Sequence, residues 1–198
     1  MSSLLKANSI SAATGTTVTI PSGTTLDIAS GATLDTTGAT VSGLTTGKVL
    51  QVVQAVKTDI FAGAANGTEM SVTGMSATIT PTSSSSKIMV SAVLNYCAVS
   101  TTYGAYFKRG TTVIGIPSAD GSRQLITAGL GYTADGNQIE TAVIEYLDSP
   151  ATTSATTYQL FVNNDNTVYI YINRSDFNHN DNRGKKCIST VTLTEIEA

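Results

Sequence analysis

Gly15-Thr-Thr-Val-Thr-Ile-Pro-Ser22, Gly23-Thr-Thr-Leu-Asp-Ile-Ala-Ser30, Gly31-Ala-Thr-Leu-Asp-Thr-Thr37 and Gly38-Ala-Thr-Val-Ser-Gly43 are four variations on one phrase. The glycines recur every eight residues and close to seven at the last step. Inside a phrase, apolar β-formers stand two apart: Val18 with Ile20, and Leu26 with Ile28. The third and fourth phrases keep one each, Leu34 and Val41. Period-two alternation gives a strand with one buried face, and the small Ser-Gly and Thr-Gly pairs supply turns. A Thr/Ser/Gly-rich linker would share the composition but not these phase-locked apolar pairs.

The period restricts what the phrases can build. A unit of this size cannot bury its apolar face alone, and a single-chain β-helix needs several such units per coil. Three chains contributing one phrase per layer close several layers. Residues 15–46 are therefore expected to form an intertwined β-repeat stalk with threefold symmetry, packed along its axis by Val18, Ile20, Leu26, Ile28, Leu34 and Val41. Residues 1–14, small and polar apart from Leu4, Leu5 and Ile10, are expected to be an attachment peptide.

From Gly47 a different pattern runs to the C-terminus. Lys48–Val56 reads as a long strand that is apolar on both faces, which predicts a central or interface position. Met70, Val72, Met75, Ala77 and Ile79 alternate with a one-residue slip at Gly74, which predicts a β-bulge. Further strands are expected at 87–96, 103–107, 141–147, 156–162, 167–172 and 187–196. Turns fall at Ser83–Ser86, near Gly110, and at 163–166. No stretch has sustained helical periodicity. The fold class is all-β: the stalk, then an antiparallel β-sandwich head, jelly-roll-like, over residues 47–198.

Composition narrows the function. Of 198 residues only 13% are charged, about half the ~25% usual in globular proteins. A neutral, hydroxyl-rich surface suits an extracellular or virion part. The net charge of −3 offers no footprint for nucleic acid. No run approaches the ~18 apolar residues of a membrane span. The opening Met-Ser-Ser-Leu-Leu-Lys lacks a signal-peptide core, so synthesis in a cytoplasm is expected. Cys97 and Cys187 both sit in apolar strand patterns and are expected to be reduced and buried, although a disulfide between them stays open.

Several blocks carry a resemblance. Thr82-Ser-Ser-Ser-Ser-Lys-Ile-Met-Val90, Phe107-Lys-Arg-Gly-Thr-Thr-Val-Ile-Gly115, Ser118-Ala-Asp-Gly-Ser-Arg123 and Ser189-Thr-Val-Thr-Leu-Thr-Glu-Ile-Glu197 resemble the C-terminal domains of bacteriophage and prophage tail fibres. The segment Ala7–Thr17 and the Gly-Ala-Thr-Leu-Asp phrases are similar to fibre stems of marine and cyanobacterial phages. The resemblance implies a homotrimeric virion appendage whose distal β-domain touches the host surface. The chain is short for a long fibre, so a capsid cement or head-fibre decoration protein is the alternative.

Catalytic chemistry finds little footing. The one histidine, His179, lies in Asn173–Arg183, and no nucleophile-elbow sequence accompanies it. Asp120, Asp135, Glu140, Glu145, Asp148 and Asp165 form no evident pair for glycoside hydrolysis, and there is no Trp to stack on a sugar. Asp176, His179 and Asp181 are weak candidates for metal ligands, against the plainer reading of an Asn/Asp-rich turn. No cofactor is expected. Tyr169 and Tyr171 share one strand face, for a subunit contact or a ligand, while Ile170 and Ile172 face the core. Loop amides and cations at Asn163, Asn164, Asp165, Asn166, Arg183, Lys185 and Lys186 are the receptor-binding candidates, toward a host-surface glycan or protein. The expectation is a non-enzymatic virion protein that binds its particle through residues 1–14.

Overall fold

A computed structural model describes residues 48–164 and 167–197 of the chain. The expected attachment peptide and stalk, with Val18, Ile20, Leu26, Ile28, Leu34 and Val41, lie outside the described residues, as do Asp165 and Asn166. The described residues hold eleven strands and no helix. These are β1 (Val49–Lys57), β2 (Phe61–Gly63), β3 (Glu69–Ile79), β4 (Lys87–Ala98), β5 (Tyr103–Arg109) and β6 (Thr112–Ile114). They continue with β7 (Ala128–Leu130), β8 (Glu140–Asp148), β9 (Thr156–Asn163), β10 (Ile170–Ile172) and β11 (Ser189–Ile196).

Two antiparallel sheets result. Sheet A runs β1-β11-β4-β10-β2, with β8 on the other edge of β4; sheet B runs β3-β9-β5-β6, with β7 also on β5. Both β10 and β11 pair with β4, and β2 and β1 pair with β10 and β11 in turn. Each of these couples is thus one interrupted strand, and so are β6 and β7 beside β5. Counted that way the chain has eight strands, paired first with eighth, second with seventh, third with sixth and fourth with fifth. A long antiparallel ribbon is rolled up so that the eighth strand also meets the third, and the seventh the fourth. This is a jelly-roll order, in keeping with the antiparallel, jelly-roll-like sandwich expected from the sequence.

The alternating patterns explain the roll. Ile88, Val90, Ala92, Leu94 and Tyr96 of β4 point inward with Val191 and Leu193 of β11. They share one core with Val72, Met75 and Ile79 of β3, Phe107 of β5, and Tyr158, Leu160 and Val162 of β9. Burying each large aliphatic side chain contributes about 1.5–3 kcal/mol. Ile170 and Ile172 are fully buried, as their parity predicts.

The predicted bulge is present and larger than one residue: β3 keeps register with β9 up to Ser71 and resumes at Ser76. Gly74 sits there at φ +84°, where a β-carbon is disfavoured. The Gln159 side chain replaces the missing ladder bonds, its Nε2 donating to the carbonyls of Val72 (2.9 Å) and Met75 (3.2 Å).

Two buried carboxylates tie segments together. Asp148 accepts from Arg109 Nη1 (3.0 and 2.8 Å) and from the Tyr158 hydroxyl (2.7 Å), joining sheet A to sheet B. Glu195, fully buried on β11, accepts from Gln51 Nε2 (2.6 Å) and from the Thr82 amide (2.7 Å) and hydroxyl (2.8 Å).

Three expectations change. β1 is an edge strand rather than a central one, because only β11 pairs with it. The strand expected over 167–172 is confined to Ile170–Ile172, since its partner β4 ends at Ala98. Cys187 precedes β11 and is only half-buried, while Cys97 is buried; both are free thiols.

Candidate functional site

The eighth strand is interrupted by an excursion, residues 173–188, that leaves the sheet between β10 and β11. Asn173 makes the exit. It adopts φ +63°, a conformation Asn tolerates better than most residues, and it is completely buried. Its Nδ2 donates to the carbonyls of Lys57 and Asp59, both at 2.9 Å, across the matching gap between β1 and β2. Its Oδ1 accepts from the Ser189 hydroxyl at 2.6 Å, where the chain returns. Its amide donates to Asn95 O (2.9 Å) and its carbonyl accepts from Cys187 N (3.0 Å). One side chain therefore fixes both ends of the loop.

Within the loop, Arg174 lies over the Tyr171 ring at 4.2 Å, and its Nη1 donates to the carbonyls of Ser175 (2.8 Å) and Asp176 (2.9 Å). Burial, then the neighbouring Asp176 carboxylate, push the Tyr171 phenol up to about 12. Arg183 and Asp181 form an ion pair at 2.6 Å. Hydrogen bonds from the Arg183 side chain and backbone hold the Asp181 carboxyl below its ordinary value. Lys185 Nζ donates to Asn182 O at 2.8 Å, and a single β-bridge joins Arg174 to Lys186. Gly184 is required by space: a β-carbon there would fall 1.8 Å from the His179 carbonyl oxygen.

Closed in this way, the loop surrounds a pocket of about 420 Å³, lined by Arg174, His179, Lys185 and Lys186 together with Asn178, Asn180 and Ile60. The lining holds three permanent cations and one carboxylate, Asp181, which Arg183 already neutralises. It also presents side-chain amides. Such a hollow suits a hydroxylated, negatively charged ligand: amides bond sugar hydroxyls, and ammonium and guanidinium groups meet carboxylate or phosphate.

The structure brings Lys185, Lys186 and His179 together but disperses other candidates. Arg183 stands outside the lining, engaged with Asp181. Asp176 neighbours Tyr171, and His179 packs on Phe177 with ring centroids 5.8 Å apart. Among the described residues, no three His, Cys, Asp or Glu side chains converge to hold a metal ion. Asn163 ends β9 in sheet B, paired with Glu69 and Gly104, and Asn164 is buried, its carbonyl accepting from Gly67 N. Neither lines the pocket. Tyr169 and Tyr171 stack at 6.1 Å; Tyr169 is exposed, while Tyr171 underlies Arg174. Of the acidic residues weighed for hydrolysis, Asp120 pairs with Arg123, Glu145 with Ser91, and Asp148 with Arg109.

Sequence reading missed Asn173 and Arg174, which position the loop. The signal was present, since an Asn directly after an alternating apolar strand marks a left-handed exit.

No protein-family model matches the chain, and no curated protein matches it in sequence. Among solved structures it is similar to a chain from the structure of infectious bursal disease virus, Gt strain. The identity is 11% and the TM-score 0.37, over 74% of this chain and 40% of that one. The match therefore spans two-fifths of the length of that viral chain, and a likeness of this extent specifies neither activity nor partner.

Proposed function

We propose that the chain is a non-enzymatic virion structural protein, a homotrimeric phage tail fibre whose head attaches to the host surface. Residues 1–14 join it to other virion proteins, 15–46 form the stalk, and the jelly roll is the head. The observation that carries the attachment role is the cation- and amide-lined pocket of the 174–186 loop. Its lining is suited to an acidic surface polysaccharide. One such site binds weakly through a few screened charges and hydrogen bonds, and three on one stalk add avidity without new contacts.

The full-length chain, applied to beads carrying acidic or neutral bacterial surface polysaccharides, tests this. Retention on the acidic beads is expected, falling at least tenfold when Lys185 and Lys186 are both changed to Glu. Retention on neither type, or retention indifferent to that charge reversal, overturns the attachment role. The jelly-roll order itself favours a second reading, since capsid domains use it. A cement or head-fibre decoration protein keeps the trimer, needs no receptor, and binds isolated capsids instead.

A further inference from the structure

The outer face of sheet A is covered over only part of its length. Toward the C-terminal end of β4, the chain's own loops roof it. Cys97, which points outward by parity, is fully buried beneath Thr133 (Sγ to Oγ1 3.3 Å) and Gly136. The Phe177 amide in turn donates to Gly136 O at 3.4 Å, tying the two roofing loops together. Toward the other end no loop among the described residues roofs it.

The strand registers lay out that bare part in rows. Leu147, Met89, Thr194 and Val52 stand side by side; then Glu145, Ser91, Thr192 and Gln54; then Val143, Val93, Thr190 and Val56. Two rows are apolar except for a threonine. The row between them is polar and internally bonded: Ser91 Oγ donates to Glu145 (2.9 Å), and Gln54 Nε2 to Thr192 Oγ1 (2.9 Å). Val52 and Val143 are 58% and 59% exposed. Of fourteen exposed large hydrophobic residues among those described, four stand in these rows: Val52 and Val56 on β1, and Val143 and Leu147 on β8. Scattered single residues would need no explanation; rows concentrated on one face mark a contact surface.

The geometry points to a second copy of this chain as the partner of that face. This rests on the trimeric reading. Lys48, just past the expected stalk over 15–46, leads straight into β1, which carries one end of the bare rows. On that reading, copies joined through residues 15–46 each enter the jelly roll beside β1. Charge permits the approach. Glu145 is the sole ionisable side chain in the three rows, and it is already hydrogen-bonded within its own face. Valine, leucine and methionine rows of one copy can meet those of the next without placing like charges opposite each other.

A photo-crosslinking amino acid placed at Val56 or Val143 of the full chain, with Val113 on sheet B as control, tests the face. Light scattering of each variant is measured alongside. The expected result is a mass of three 20.4 kDa chains, with covalent dimers and trimers from Val56 and Val143 but not from Val113. A trimeric mass with no crosslink between copies from Val56 or Val143 overturns this face as the interface and leaves the trimer standing. Crosslinks running within one chain to residues 1–47 overturn it in favour of the chain's own N-terminal segment. A monomeric mass overturns both the face and the trimer.

Discussion

Replacing Asn173 by Ala removes the anchor of the site loop. Two donors and one acceptor are lost, and the carbonyls of Lys57 and Asp59 and the Ser189 hydroxyl are left without them. Each buried polar group left unsatisfied costs about 1–3 kcal/mol. An alanine held near φ +63° adds roughly 1–2 kcal/mol of steric cost. With Asp59 O only part-buried, the total is about 4 kcal/mol, a large share of the ~5–15 kcal/mol by which a domain is stable. Glycine at the same position loses the same bonds but relieves the backbone, so Asn173→Gly is expected to be about 1 kcal/mol less damaging than Asn173→Ala. Asn173→Asp presents a carboxylate to two carbonyl oxygens and is expected to be the most damaging of the three. Urea denaturation of the full chain at one fixed protomer concentration reads all three, since assembly makes apparent stability concentration-dependent. An alanine variant within 1 kcal/mol of the parent, or one more stable than the glycine variant, refutes the stitching role.

Other perturbations have equally definite outcomes. Burial alone would raise the Glu195 carboxyl, but hydrogen bonds from Gln51 and Thr82 outweigh it and hold the group at about 2, against 4.5 ordinarily. A depressed carboxyl stabilises the fold above its unfolded value, and that contribution is lost as pH falls from about 4.5 toward 2. The parent should therefore lose more stability than Glu195→Gln between pH 5 and pH 2.5 in matched denaturation curves; parallel losses would contradict the assignment. Asp148→Ala deprives Arg109 and Tyr158 of their shared acceptor and should lower stability by about 2–4 kcal/mol by the same assay. Gly184→Ala drives a β-carbon into the His179 carbonyl, so retention on acidic polysaccharide should fall about tenfold, while thermal unfolding of the head shifts by only a few degrees. Raising salt from 50 to 500 mM should weaken that retention in the parent more than in the Lys185→Glu, Lys186→Glu variant.

Much of the head was legible because alternation is strong where one sheet face is buried. The inward parity of Ile88 to Tyr96, the slip at Gly74 and the buried pair Ile170 and Ile172 all follow from period two. The apolar outer side of β1 was legible too, as an interface signature; its place at a sheet edge was not, because periodicity reports faces and not neighbours. The interrupted strands were hidden for a different reason. A left-handed Asn and its long-range partners at Lys57, Asp59 and Ser189 are stored in tertiary contacts, so 167–172 read as one strand and 187–196 as another with no hint that both lie along β4. The site was half legible. Lys185 and Lys186 stood out by charge, whereas Arg174 was hidden beneath its stacking on Tyr171, and Asn164 looked like turn surface but is buried. Glu195 offered a clue: a carboxylate on the same parity as Val191 and Leu193 must be buried and bonded.

The most direct test of the proposed function is a cryo-EM map of particles that carry this chain, at a resolution that traces β1 and the 174–186 loop. Threefold projections from the tail are expected, with the outer faces of sheet A turned toward one another and the pocket loops open to solvent. Copies seated flat on the capsid, with those loops pressed against capsid subunits, would contradict host attachment as the function.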